Sequence, residues 1–174
     1  HNCTPNNLHF EINQKIIKAG KHLLSEKPLA KNSDESGKMV ELLTHHPKTV
    51  AAVNFNYRMN PLVQEMRNKV ASGEIGKVTL AHGSYLQDWL LYETDYNWRI
   101  EPDISGPSRC IADIGSHWMD LSQFVANSRI VEVMADLHTI HPVRKRSKGA
   151  VLTFARQAAG QEYEEVPIEL DDSG

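Results

Sequence analysis

No Gly-x-Gly pair occurs anywhere in the chain, although it holds ten glycines. The turn that cradles a dinucleotide's pyrophosphate needs glycines at that spacing, so no cofactor follows from a phosphate-binding motif. Cysteine is scarce as well, with Cys3 and Cys110 standing alone. They form neither a metal-ligand spacing nor a disulfide framework, which fits a reducing, cytoplasmic compartment. No apolar stretch approaches the roughly 20 residues of a membrane span. Positive charge is not in excess, since 19 basic residues face 22 acidic ones for a net charge of -3. A chain so balanced has no global field to draw it to nucleic acid or an anionic membrane. The basic run Arg144-Lys145-Arg146 is accordingly expected to be a solvated loop. An initiator methionine is missing too. The start His1-Asn2-Cys3-Thr4-Pro5 reads as the interior of a longer protein, which leaves an upstream targeting signal open.

What is present is ordinary for a globular protein: 40% hydrophobic and 24% charged residues, enough for one full domain or two small ones. After the turn Pro5-Asn6-Asn7, with its capping residues, Leu8, Ile12, Ile16 and Ala19 recur at helical spacing until Gly20. The short apolar run His22-Leu23-Leu24 must end as a strand near Pro28, which places Lys27 at a strand's carboxyl end. A second helix starts at Ser33-Asp34-Glu35, whose acids suit the positive end of the helix dipole, and carries Met39, Val40, Leu42 and Leu43 inward. Thr49 to Phe55 reads as a further buried strand. Such alternation predicts an α/β fold with a parallel, doubly wound sheet that binds ligands at the carboxyl ends of its strands.

The character changes near Tyr57, where a domain boundary is placed: residues 1–56 form one domain and 57–174 another. A helix capped by Asn60-Pro61 carries Leu62, Val63, Met66 and Val70 and stops at Gly73. A strand-like segment then runs from Lys77 to Gln87. Asp113 to Val125 is expected to be helical, with Ile114, Trp118, Leu121 and Val125 as its apolar stripe. The alternating Val131, Val133, Ala135 and Leu137 suggest a strand covered on one face. Beyond Thr139 a long loop is expected, with a strand conceivable at Ala150 to Phe154.

Two motifs narrow the chemistry: Glu26-Lys27-Pro28 and Asp113-Ile114-Gly115-Ser116-His117. Asp113 and His117 are four apart, so they lie above one another on one helix face, with Asp120 a turn further on. An imidazole can accept a hydroxyl proton near neutral pH, and a neighbouring carboxylate can orient it. The plainer alternative is a helix start capped by Asp113, with His117 on the surface. Asp113, His117 and Asp120 could in principle ligate a cation, but no further ligand cluster joins them and no metal is expected. Lys27 is a turn lysine or, at a strand's carboxyl edge, a group that holds a substrate hydroxyl. Glu26 is a ribose contact or the lysine's ion-pair partner. Arg58 and the pair Trp98-Arg99 could anchor and stack a ligand, or simply pack.

Taken in order, Thr4-Pro5-Asn6 with His9, Ala19-Gly20-Lys21-His22-Leu23-Leu24-Ser25-Glu26-Lys27-Pro28-Leu29-Ala30, Asn56-Tyr57-Arg58, Gly73-Glu74-Ile75-Gly76 and Asp113 to Asp120 resemble the Gfo/Idh/MocA oxidoreductases. The resemblance covers His1 to about Asp136. It implies a partial Rossmann-type sheet followed by a C-terminal α+β domain on a mainly antiparallel sheet. It also implies loss of the glycine-rich first turn with roughly 60 residues, and truncation at Gly174. The activity implied is NAD- or NADP-dependent oxidation or reduction of sugars and polyols by a homo-oligomer. Lys27, Asp113 and His117 are then the catalytic residues. Thr4, Pro5, Asn6, His9, Glu26, Lys27 and Arg99 line the cofactor, and Lys27, Arg58, Asp113 and His117 meet the substrate. Pro107-Ser108-Arg109-Cys110 departs from the glycine-rich run many members carry before the aspartate. An NAD-dependent glycosidase of the same fold, or a non-catalytic sugar- or nucleotide-binding protein, are the alternatives. The isolated chain itself is expected to be inactive and to bind the dinucleotide weakly.

Overall fold

The computed structural model describes residues 1–149 and 162–174; the conceivable strand at Ala150 to Phe154 lies outside them. The first region is built on short parallel strands. β1 (Leu23–Ser25) pairs in parallel with β2 (Ala51–Val53), Leu23 opposite Ala51 and Ser25 opposite Val53. Asn2 extends the sheet on the other side of β1 by a parallel bridge to Ser25. A parallel connection requires a crossover, and α2 (Ser33–Thr44) supplies it between β1 and β2. Asn32 starts this helix by accepting the Glu35 amide on its side chain, with Asp34 and Glu35 in the first turn. Ile17, Leu23 and Met39 form the core of this region. Val40 is 60% exposed, contrary to its expected inward place.

α1 (Asn6–Lys18) departs further from expectation. Its buried residues are His9, Asn13 and Ile17, while Leu8 is 40% exposed. No side chain caps its start at Pro5. The inward face is polar because it ties backbone together. Asn13 accepts from the Asn2 side-chain amide at 2.8 Å and donates to the Ser25 hydroxyl at 2.9 Å. A buried polar group is tolerable only when bonded in this way.

A 3-10 turn at Asn56–Met59 leads into α3 (Pro61–Ala71), capped by the Asn60 side chain on the Leu62 amide. Leu62 and Met66 are exposed rather than inward. The segment from Lys77 to Gln87 forms no strand, and neither do residues 131–137. Leu80, Leu86, Val131 and Val133 are each at least 80% exposed. Alternation prepares a face, but a ladder needs a second chain segment alongside, and the described residues provide none there.

The expected loop after Thr139 is also revised. β3 (Val143–Ser147) pairs antiparallel with β4 (Tyr163–Pro167), Arg144 opposite Val166. Arg144, expected in a solvated run, is fully buried and donates to the carbonyls of Leu90, Tyr92 and Asp95 and to Asp172. Its neighbours Lys145 and Arg146 pair with Glu93 and Glu164 at the surface.

Between these parts lie α4 (Pro102–Ser105) and the long helix that carries the second motif. That helix opens with a π-helical turn, Ile111–Gly115, in which the Ser116 amide reaches back five residues to the Ile111 carbonyl, and continues as α5 (Ser116–Ala126). Its buried side chains are His117 and Asp120; the apolar stripe is only half-buried. Asn127 ends it in the left-handed conformation.

Candidate active site

The parallel strands present their carboxyl ends at Thr4–Asn6, Glu26–Lys27 and Asn54–Phe55. Lys27 stands at this edge, joined to Pro28 by a cis peptide bond. Its ammonium crosses to the second region and donates to the Asp113 carboxylate at 2.6 Å and to the Asp113 carbonyl at 2.7 Å. Both side chains are mostly buried, at 14% and 18% exposure, so the pair is little screened by solvent. Folding thus closes the 86 residues that separate the two motifs.

The Asp113 carboxylate also faces Arg99 Nε at 3.5 Å, and the Arg99 guanidinium lies over Trp98 and Trp89. Asp113 is therefore held by two cations, where the sequence suggested a role in orienting His117. Nor does it cap its helix. His117 is packed instead among aromatic rings: Tyr57 at 4.5 Å between centroids, Phe55 at 5.8 Å and Tyr85 at 6.3 Å. Burial, and then the nearby Lys27 charge, lower its pKa below the ordinary histidine value, outweighing the pull of Asp113 and Asp120. The ring is neutral at pH 7, with a lone pair to receive a proton.

Lys27, Arg99, Asp113 and His117 line a cavity of about 140 Å³ together with Tyr57, Tyr85, Gln87, Trp89 and Ile114. Tyr57 and Tyr85 share a 2.6 Å hydrogen bond, Gln87 donates to Tyr85 at 2.9 Å, and Trp89 donates to Gln87. Burial and the adjoining Tyr57 hydroxyl push the Tyr85 pKa up to about 12, so the Tyr85 phenol is protonated at neutral pH. Sequence reasoning missed this wall. A signal was available: Tyr85, Gln87 and Trp89 alternate, which places them on one side of an extended segment, with Leu86 84% exposed on the other.

The remaining candidates divide. Asp120 does not face the cavity; it holds Arg58, which donates to it through Nε at 2.8 Å and through a second nitrogen, and which also covers Phe124. Arg58 lies outside the cavity lining. His9 is buried, with both ring nitrogens on backbone carbonyls: Pro28 at 2.6 Å and Thr4 at 2.8 Å. It braces the two loops that carry Thr4 and Lys27. Thr4 bonds through its hydroxyl to Asn2, Asn6 donates to the Ser105 carbonyl, and Glu26 accepts from Asn54 through one carboxylate oxygen.

Among the described residues no group of three or more His, Cys, Asp or Glu could hold a metal ion. No described helix is long and apolar enough to cross a membrane.

Comparison with known proteins matches residues 3–55 to the oxidoreductase family with an NAD-binding Rossmann fold, and residues 63–173 to the GFO/IDH/MocA C-terminal domain. Levoglucosan dehydrogenase of Pseudarthrobacter phenanthrenivorans is 34% identical over 171 residues, which are 98% of this chain and 43% of that one. An oxidoreductase domain protein from Kribbella flavida superposes with a TM-score of 0.83 at 34% identity, over 98% of this chain and 42% of its own. A levoglucosan dehydrogenase in complex with NADH and levoglucosan superposes at 0.81 and 32% identity, over 98% of this chain and 41% of its own. The chain spans about two fifths of the length of the curated relatives it matches. With both halves of the family pattern present in order, and the fold to match, the chain belongs to the Gfo/Idh/MocA oxidoreductases.

Proposed function

We propose that the protein carrying this chain is a dehydrogenase that moves a hydride between nicotinamide and a hydroxyl-bearing carbon of a sugar or polyol. The observation that carries the reading is the 2.6 Å contact of Lys27 with Asp113 beside His117, in one cavity built from both regions. Sugar dehydrogenases among the relatives, one of them seen with NADH and levoglucosan, support it.

The donor set at the carboxyl edge fits the nicotinamide-ribose end of NAD or NADP. Glu26 presents a carboxylate suited to ribose hydroxyls, Thr4 and Asn6 present small polar groups, Pro5 shapes their turn and Arg99 flanks Lys27. A bound nicotinamide supplies the hydride acceptor. His117 takes the hydroxyl proton on a ring nitrogen as the carbon–oxygen double bond forms, which its neutral state at pH 7 permits. Lys27 donates to the reacting oxygen and steadies the negative charge that grows there, while Asp113 fixes the ammonium in place. In the reducing direction the same proton returns from His117. His9 serves by bracing the cofactor-side loops.

The reading extends to a division of domains near Tyr57, supported by matches that leave residues 56–62 between them. A homo-oligomeric full-length protein is supported by the family resemblance, and a cytoplasmic location by the scarcity of cysteine. The test is turnover by the full-length protein with a panel of neutral sugars and polyols, followed by nicotinamide absorbance. Net NAD(P) reduction with a carbonyl product is expected. Glycoside cleavage without net reduction would move the protein to the hydrolase class, and sugar binding without turnover would make it a binding protein.

A further inference from the structure

The helix that carries Asp113 and His117 begins without a cap of its own. An α-helix leaves its first amide groups without partners inside the helix, and no local side chain caps this one. The partners come from far along the chain. The Asp171 carboxylate accepts the Arg109 amide at 2.7 Å on one oxygen and the Ile111 amide at 2.8 Å on the other. The Asp171 carbonyl accepts the Cys110 amide at 3.2 Å. Three consecutive amides, 109 to 111, thus end on one buried residue about sixty positions downstream. The first bond inside the helix follows directly, from the Asp113 amide to the Arg109 carbonyl at 2.8 Å.

The neighbouring residue anchors the clamp. Asp172 accepts from the buried guanidiniums of Arg109 and Arg144 and from the His141 amide at 2.9 Å. Burial alone would raise the Asp172 carboxyl, but the His141 amide and the two arginines outweigh it and hold its pKa below the usual carboxylate range. The segment that presents Asp171 is therefore held from both sides.

We propose that Asp171 is a positioning residue for the reaction: it fixes the first turn of the catalytic helix and so sets where the Asp113 carboxylate meets Lys27. An uncapped helix start frays, and Asp113 sits in that first turn. Misplacing a group that steadies the reacting oxygen weakens the transition state more than the bound sugar. The expected signature is a fall in kcat with KM almost unchanged. This rests on the dehydrogenase reading above, but the clamp itself can be tested without turnover.

The experiment compares Asp171→Ala and Asp171→Asn with Met39→Ala in the full-length protein, each assayed well below its own melting temperature. Met39 lies in the core of the first region, away from the cavity. Asp171→Ala is expected to lower kcat by about tenfold or more with KM within about threefold of wild type. Asp171→Asn keeps one oxygen acceptor and should fall between the two; it also serves if the alanine variant does not fold. Met39→Ala should lose stability yet keep kcat. Peptide-resolved hydrogen exchange over residues 109–113 should quicken by about tenfold in Asp171→Ala while α1 is unchanged. If the wild type turns over no sugar, the dehydrogenase reading fails while the exchange measurement still decides the clamp. Unchanged exchange at 109–113, or a kcat per folded molecule equal to that of Met39→Ala, would overturn the proposal.

Discussion

The first region and the segments at 77–87 and 131–137 use similar residues and come to opposite ends. Leu23, with apolar neighbours on both sides of its strand, is 4% exposed, whereas Val131 and Val133 are 88% and 80% exposed despite a cleaner alternation. The difference lies in what stands beside them. β1 has β2 on one edge and Asn2 on the other, and α1 and α2 pack Ile17 and Met39 against it. The alternating segments have no ladder partner among the described residues. A strand is a relation between two segments, and a sequence pattern supplies one side of it.

Breaking the cavity should give the largest effect, because it joins one group from each region. Lys27→Ala or His117→Ala in the full-length protein is expected to lower kcat/KM by about 100-fold or more. Steady-state rates close to wild type in both variants would separate the regions functionally and remove the mechanism.

Next come the cores. Met39→Ala should destabilise the chain by about 2–5 kcal/mol, since Met39 is 1% exposed and enclosed. Asn13→Ala should cost about 1–3 kcal/mol by leaving Asn2 and Ser25 with unmet hydrogen bonds. Chemical denaturation would read both. An Asn13→Ala chain as stable as the parent would show that α1's polar face contributes nothing.

Smaller still is the pH dependence. A base with a lowered pKa stays deprotonated to more acid pH than a free histidine. In the oxidising direction, kcat/KM should therefore be flat through neutrality and fall only below about 6.5, the ordinary histidine value. The same sign holds for stability: His117 is buried neutral, so its contribution is present above the unfolded value and lost as pH falls through the lower folded one. An acid limb centred above neutrality would assign the proton to another group. The smallest effect belongs to the exposed segments: Leu80→Ala and Val133→Thr should each change the stability of this chain by no more than about 0.5 kcal/mol. A larger loss would show that these segments pack in solution.

What could be read beforehand follows the same division. α2 was legible because its acidic first turn and Met39 act within a few residues of one another, although its cap, Asn32, was not read. α1 was legible as a helix, but its buried face was not: His9, Asn13 and Ile17 turn inward because of bonds to Thr4, Pro28, Asn2 and Ser25. β3 was missed because Arg144 looks like a solvated charge until the carbonyls of Leu90, Tyr92 and Asp95 gather around it. Lys27, Asp113 and His117 were picked out as chemical types, yet the partnership changed: the lysine took the carboxylate and aromatic rings took the imidazole.

By itself the sequence determined the four longer helices, the end of the strand that presents Lys27, and the absence of a phosphate-binding glycine turn. These rest on hydrogen bonds and backbone preferences that span a few residues. Only the tertiary structure decided which strands exist, which helix face is buried, what wall faces His117, and that Asp171 starts the helix bearing Asp113. Each of those depends on groups far apart in the chain, whose meeting is set by packing and by the cost of leaving buried polar groups without hydrogen bonds.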